Sequence, residues 1–317
     1  MIKIDLITGF LGSGKTTFIR EYAKFLIERG EKIAIIENDY GAVNIDMVLL
    51  SDLLGERCNL EMVVGGDGQE AHKRRFKTKL ISMGMSGYTR VLIEPSGIYD
   101  VDEFFDVLYD EPLDRWYEIG SIIGIVDAKA APHLDGPEKY LFMSEVAWAG
   151  KLFFSKTEDG ADTGAITAFI NRTMEEYGCS ARFDEEKDVI AKPIAELDAR
   201  DLEAVRDAGY RRSSYTKLGI DEKKFRPLFY FDVEMPGERL TEISGKLFAD
   251  EKAGKVIRIK GFVGTGDGLQ LEINATEKEI MTRQAKSSRN VLIIIGQDLD
   301  KDYINDIFRD YCSTVSL

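Results

Sequence analysis

Short apolar runs alternate with longer stretches of helical period over the first two thirds of the chain. Runs at 2–7, 33–36, 60–64, 90–93, 121–127 and 151–154 are rich in Ile, Val, Leu and Phe and too short for helices, so they predict buried strands. Between the first two, Phe18, Ile19, Tyr22, Phe25 and Leu26 recur at helical spacing, and Gly30 supplies a stop. Ala71, Phe76, Leu80 and Ile81 predict one buried helical face, with His72, Lys73, Arg74, Arg75, Lys77 and Lys79 on the solvated side; contact with a phosphate or an acidic partner is the alternative use of that basic run. Val101, Phe104, Phe105 and Leu108 predict a further helix, capped by Asp100. Helices at 163–177 and 198–208 and a short strand at 181–183 complete the alternation. Apolar strands alternating with helices predict an α/β fold with a doubly wound parallel sheet.

The rhythm changes near residue 225. Strands at 229–233, 256–263, 269–273 and 291–295 and helices at 238–252 and 300–311 predict a smaller α+β domain with a mostly antiparallel sheet. The glycine-rich stretch 264–268 lacks a following Lys-Ser/Thr, so it reads as a hairpin turn and not as a phosphate loop. Arg211-Arg212-Ser213-Ser214 marks the connection. The expected organisation is a nucleotide-binding domain at 1–200, a linker at 201–224 and a C-terminal domain at 225–317.

Composition narrows the class. Of 317 residues 44% are apolar and 31% charged, as in a soluble globular protein, and no apolar run approaches the roughly 20 residues that span a bilayer. A net charge of −14 argues against nucleic acid and anionic membranes as partners. Cys58, Cys179 and Cys312 are far apart and spell neither a disulfide framework nor a metal clip, so reduced thiols are expected. The first strand begins at the N-terminus with no room for a leader, which makes the cytoplasm the expected compartment.

The chemistry starts at Gly9-Phe10-Leu11-Gly12-Ser13-Gly14-Lys15-Thr16-Thr17, which meets the P-loop spacing G-x-x-x-x-G-K-[ST] between a strand and a helix. Gly9, Gly12 and Gly14 allow the backbone to curl with N–H groups inward as a phosphate nest, to which Ser13 and Thr17 also belong. Lys15 is placed to reach the β- and γ-phosphates, Thr16 offers a hydroxyl to Mg²⁺, and the helix N-terminus adds partial positive charge. After the second strand, Asp39 or Asp46 in Glu37-Asn38-Asp39-Tyr40-Gly41 and Asn44-Ile45-Asp46 stands where switch proteins sense the γ-phosphate; a polar turn is the plain alternative. Glu94-Pro95-Ser96-Gly97 has Walker B character: Glu94 holds Mg²⁺ or orients the attacking water, and Gly97 brings an N–H to the γ-phosphate. Ser155-Lys156-Thr157-Glu158 stands where guanine-binding proteins carry Asn-Lys-x-Asp, with Glu158 as the base-pairing carboxylate, Lys156 along the base and Ser155 without the amide; an uninvolved strand end is the alternative.

With these motifs the chain resembles the CobW-type members of the P-loop GTPase class that also includes UreG and HypB, over nearly its whole length. The loop from Gly9 to Thr17 is similar residue for residue, Asn38-Asp39-Tyr40-Gly41 with Ile45-Asp46 resembles the family's switch segment, and Glu94-Pro95-Ser96-Gly97 resembles its Glu-x-Ser-Gly stretch. In the C-terminal part, Ile257-Arg258-Ile259-Lys260-Gly261-Phe262 and Ile295-Gly296-Gln297-Asp298-Leu299 resemble the Arg-x-Lys-Gly and Ile-Gly-x-x-Leu patterns. The resemblance implies a GTPase, with GTP and Mg²⁺ bound, that loads or inserts a metal or metal-bearing cofactor into a client enzyme, corrinoid- or metal-dependent. Family members carry Cys-x-Cys-Cys where this chain reads Gly66-Asp67-Gly68-Gln69, and many have a His-rich tail, whereas this chain has two histidines in all. Thiol-based metal carriage is therefore expected to be lost, and no bound transition metal is expected. No arginine finger is identifiable, so slow intrinsic turnover is expected, with a client or a homodimer partner supplying the missing charge. The rival readings are a P-loop small-molecule kinase and a nucleotide-gated scaffold without useful hydrolysis.

Overall fold

The N-terminal strand, β1 (Ile2–Thr8), runs straight into the glycine-rich loop and from there into α1 (Lys15–Glu28). The structure is a computed structural model that describes every residue except 40–48, 65–68, 96–100, 135, 159, 217–226, 286–289 and 316–317. In chain order there follow β2 (Ile33–Asp39), β3 (Cys58–Val64), α2 (Gln69–Gly84), β4 (Arg90–Pro95), α3 (Val101–Leu108), β5 (Tyr117–Asp127), α4 (Gly136–Val146), β6 (Lys151–Ser155), α5 (Thr163–Glu176), β7 (Val189–Ala191) and α6 (Ala199–Arg206). The strands form one seven-stranded parallel sheet in the order β3-β2-β4-β1-β5-β6-β7. The chain builds one side of β1 first and the other side afterwards. The direction of winding therefore reverses beside the C-terminal end of β1, where open α/β sheets leave a crevice for ligands.

Period-2 burial holds the sheet in place. Ile7, Ile33, Ile35, Leu92, Ile123, Ile125 and Phe153 pack in one core with Phe18, Ile19, Tyr22 and Leu26 of α1 and Leu202 and Val205 of α6. Ile4, Leu6, Ala34, Ile36, Val91, Ile93, Leu152 and Phe154 alternate with them and are just as buried, so both faces are covered, as a parallel sheet requires. Side chains set the helix starts. Asp162 accepts from the Ala165 N–H at 2.9 Å, and Asp198 and Asp201 form a reciprocal capping box at α6.

Two expectations, the seventh strand and the buried face of α2, are corrected. The seventh strand is at Val189–Ala191, not at 181–183, because the Phe183 N–H and carbonyl are taken by the Asn171 side chain instead of a neighbouring strand. On α2 the buried line is His72, Phe76, Leu80 and Met83, so His72 lies on the apolar face, where burial lowers its pKa and nearby Arg75 adds to the effect. The solvated lysines pair across to α3 and the turn after it: Lys73 with Asp106 at 3.2 Å and Lys77 with Asp110 at 3.1 Å. The 211–216 stretch is hydrogen bonded back onto the first unit, Arg211 N–H to the Trp148 carbonyl and Thr216 N–H to the Tyr177 carbonyl, both at 3.0 Å. Consistent with that, the chain divides into compact units at Met1–Leu218 and Gly219–Leu317.

The second unit contains β8 (Leu228–Phe231), α7 (Gly237–Ala249), β9 (Lys255–Gly264), β10 (Gln270–Thr276), β11 (Glu279–Ala285), β12 (Val291–Gln297), α8 (Lys301–Phe308) and β13 (Thr314–Val315). They make a six-stranded antiparallel sheet in the order β11-β10-β9-β12-β8-β13. Tyr230, Ile259, Val263, Ile273, Leu292 and Ile294 pack on Leu240, Ile243 and Leu247 of α7 and on Ile304 and Phe308 of α8. The hairpin expected at 264–268 joins β9 to β10, closed by Thr265 N–H to the Leu269 carbonyl at 3.0 Å. β11 was not expected; its exposed Met281 and polar neighbours hide the strand period of a sheet edge. Among the described residues no helix is long and apolar enough to cross a membrane.

Candidate nucleotide site

The loop after β1 is shaped by glycine. Gly9 has φ of 139°, and a Cβ there would stand 2.3 Å from the Ile125 carbonyl oxygen; Gly14, at φ 96°, is the residue from which α1 starts. No side chain among the described residues caps α1, and its first turn holds no acid. Its N–H groups and positive dipole end are thus left for an anion.

Lys15 and Thr16 occupy the first turn. Lys15 is only 6% exposed, not the exposed loop lysine that the motif suggests, and its Nζ donates to the Gly9 carbonyl at 2.8 Å. A phosphate oxygen is a better acceptor for an ammonium than a neutral carbonyl. Thr16 Oγ1 donates to Glu94 Oε1 at 3.0 Å, bringing together the two groups expected to hold Mg²⁺. Glu37 of β2 is the register neighbour of Glu94 on β4, and both are buried. Hydroxyl and carboxylate oxygens are the hard donors that Mg²⁺ prefers, so this donor set fits the ion. The phosphate cradle fits a nucleotide as well: Ser13 Oγ is buried with no hydrogen-bond partner among the described residues.

Glu145, near the end of α4, was not expected at all. It is completely buried, and its Oε2 accepts from the Gly9 N–H at 2.6 Å. Burial pushes its pKa up to about 8; the Lys15 charge and the Gly9 N–H oppose the shift, and the Glu94 charge adds to it.

A second polar group lies at the ends of β5 and β6. Ser155 Oγ donates to the Ser13 carbonyl at 2.7 Å, so the serine ties the end of β6 to the phosphate loop although it lacks an amide. Lys156 stands in the left-handed region at φ 57° with its Nζ 2.6 Å from Asp127 Oδ2. The other Asp127 oxygen accepts from the Lys129 and Ala130 N–H groups at 2.9 and 3.0 Å, which fixes the carboxylate that holds the lysine. Thr157 Oγ1 is buried and without a hydrogen-bond partner among the described residues, whereas Glu158 and Thr17 are exposed.

Gly9, Gly12, Ser13, Gly14, Lys15, Thr16, Glu94, Ser155 and Lys156 thus gather at the C-terminal ends of β1, β4 and β6. The Asp39 backbone belongs to β2, but its side chain lies outside the described residues, as do Asp46, Gly66, Asp67, Gly68, Ser96, Gly97 and Asp100. Among the described residues no cluster of three His, Cys, Asp or Glu could hold a metal ion.

A parallel sheet with a glycine loop and helix N-terminus at its winding reversal, and a Thr–Glu pair beside them, defines a P-loop nucleotide-binding domain. The model of the CobW/HypB/UreG nucleotide-binding domain matches residues 3–183, and that of the cobalamin synthesis protein CobW C-terminal domain matches residues 228–312. The chain belongs to the CobW/HypB/UreG family. It is 28% identical over 165 residues to the zinc chaperone YjiA of Escherichia coli strain K12, an alignment covering 50% of each chain. With the zinc chaperone CobW of Pseudomonas aeruginosa it shares 22% identity over 358 positions, covering 97% of this chain and 91% of that one. The alignments with YjiA and with the zinc chaperone YeiR of the same strain span about half of those relatives, 50% and 47%. A crystal structure of Zn(II)-bound YjiA GTPase from E. coli aligns over 98% of this chain and 99% of that one with 20% identity and a TM-score of 0.41, which adds nothing to the fold read from the strand order.

Proposed function

We propose that the protein binds GTP and hydrolyses it slowly, using the nucleotide state to drive maturation, metallocofactor insertion or reactivation of a partner enzyme, without a thiol metal site of its own. The observation that carries this reading is the joined pair of contacts at the loop: Thr16 to Glu94 on the metal side and Ser155 to Ser13 on the base side. In this reading the loop N–H groups and Lys15 hold the β- and γ-phosphates, and Lys15 leaves the Gly9 carbonyl for them. Thr16 and Glu94 hold Mg²⁺, which when bound neutralises charge on the phosphate oxygens. Asp39 and Gly97 report the γ-phosphate, and Glu158 pairs with the guanine N–H donors while Lys156 lies along the base. The reading suits the family's zinc chaperones, but the 66–69 loop has no soft ligand for zinc. Phosphate release from GTP, measured with and without Mg²⁺, tests it. Slow, Mg²⁺-dependent release that requires no acceptor supports the GTPase reading; GDP formed only when a small-molecule acceptor is present, with the phosphoryl group on that acceptor and no free phosphate, replaces it with a kinase.

A further inference from the structure

Glu145 is a carboxyl group in a place that does not suit a carboxylate. Tyr140, Leu141, Phe142, Met143 and Val146 around it on α4 are buried, and it is itself 0% exposed. Oε2 is held by the Gly9 N–H, while Oε1 has no hydrogen-bond partner among the described residues. An ionised carboxylate so buried requires compensation, and a single amide is not enough. The charged groups facing it are the Lys15 ammonium from α1, which favours ionisation, and the Glu94 carboxylate from β4, which opposes it.

We propose that Glu145 is a positioning residue of the nucleotide site: it holds the first P-loop glycine through the Gly9 N–H, and it does so as a neutral acid whenever a nucleoside triphosphate is bound. The proposal rests on the nucleotide reading above and deepens it. In the empty loop Lys15 is the nearest compensation for a carboxylate at 145. A triphosphate draws that ammonium to its own oxygens and, even with Mg²⁺ offsetting about two of its charges, leaves net negative charge at the loop. The carboxylate then loses its compensating charge and gains repulsion, so it takes a proton from solvent. Neutralised, one oxygen still accepts from the Gly9 N–H and the loop keeps its shape, while the other carries a proton instead of an unshared charge. Because burial already sets the pKa of the empty site near 8, uptake falls in an accessible range.

The test is calorimetric titration of the full chain with a non-hydrolysable GTP analogue and Mg²⁺, in buffers of different ionisation heat. At about pH 8 the wild type should take up about half a proton more than E145Q, and between about pH 7 and about pH 9 its affinity should fall about tenfold more steeply. Ionisation of the analogue is common to both proteins and cancels in the comparison. A merely structural glutamate would leave the proton count unmoved. Equal proton uptake and equal pH slopes in the two proteins would overturn the proposal. Should E145Q fail to fold, the wild type decides alone once the ionisation of the Mg²⁺-loaded analogue has been measured separately and subtracted, since binding with no residual proton uptake at about pH 8 is fatal to the proposal. If the wild type binds no analogue at any pH, the nucleotide reading falls and this proposal with it.

Discussion

Asp5 and Glu94 are buried carboxyl groups on neighbouring strands of one sheet, and their surroundings could hardly differ more. Asp5, midway along β1, is held by Arg90 at the N-terminal end of β4: Oδ1 accepts from Arg90 at 2.8 Å and from the Ser121 N–H at 2.8 Å, and Oδ2 accepts from Arg90 at 2.6 Å and from the Tyr22 hydroxyl at 2.8 Å. Arg90 is held in turn by Glu31, which also pairs with Arg206 of α6. A Cβ on Gly120 would come within 2.2 Å of Asp5, so the cluster is closed to any ligand. At the other end of the same strands, the loop leaves Ser13 Oγ and Glu145 Oε1 without partners among the described residues, the α1 N-terminus without a cap, and Lys15 on a neutral carbonyl. A filled polar network fixes the fold, whereas a polar site with capacity to spare is prepared for something that arrives later.

The comparison breaks if the closed cluster turns out to govern function or the open one to govern stability. Arg90→Ala is expected to have the largest effect, about 3–5 kcal/mol of unfolding free energy, because it leaves Asp5 buried without its cation. Denaturant titration reads that loss, and nucleotide affinity per folded molecule should be unchanged. Lys15→Ala should do the reverse, lowering GTP turnover by about a hundredfold to a thousandfold, with a loss of about 1–3 kcal/mol at most for the buried Gly9 carbonyl left without its donor. Near-normal turnover in the folded variant would mean that the loop is not catalytic. Smallest of all is Lys77→Ala, which removes a surface pair with Asp110 and should change stability by less than about 1 kcal/mol, with no change in turnover. A larger loss of turnover there would revive the phosphate-contact reading of the basic helix.

The open site was more legible in the sequence than the closed cluster, for a physical reason. The phosphate loop is local: its glycines, lysine and threonine fall within Gly9 to Thr16, and one span of backbone dictates all of them. Buried strands at 2–7, 33–36, 90–93 and 151–154 were equally readable, since an apolar run flanked by turns has few other uses. Contacts across long separations were not. Glu145 meets Gly9 over 136 residues, and within the sequence Met143-Ser144-Glu145-Val146 it looks like a solvated charge on an otherwise apolar stretch. Asp5 likewise interrupts an apolar strand, and only Arg90, 85 residues away, explains it. An acid embedded among apolar residues was the one available signal for both. The strand expected at 181–183 failed for a related reason, because the Asn171 side chain took the hydrogen bonds that a ladder would have used.

The central claim, that the open end of the sheet is a guanine-nucleotide site, is tested most directly by titrating the wild type and Glu158→Ala with GTP and ATP analogues in the presence of Mg²⁺. The account predicts one saturable site in the wild type that favours the GTP analogue by at least about tenfold, and loss of most of that preference in Glu158→Ala as two guanine donors go unpaired. Equal affinities for the two analogues in the wild type, or no saturable binding of either, would contradict it.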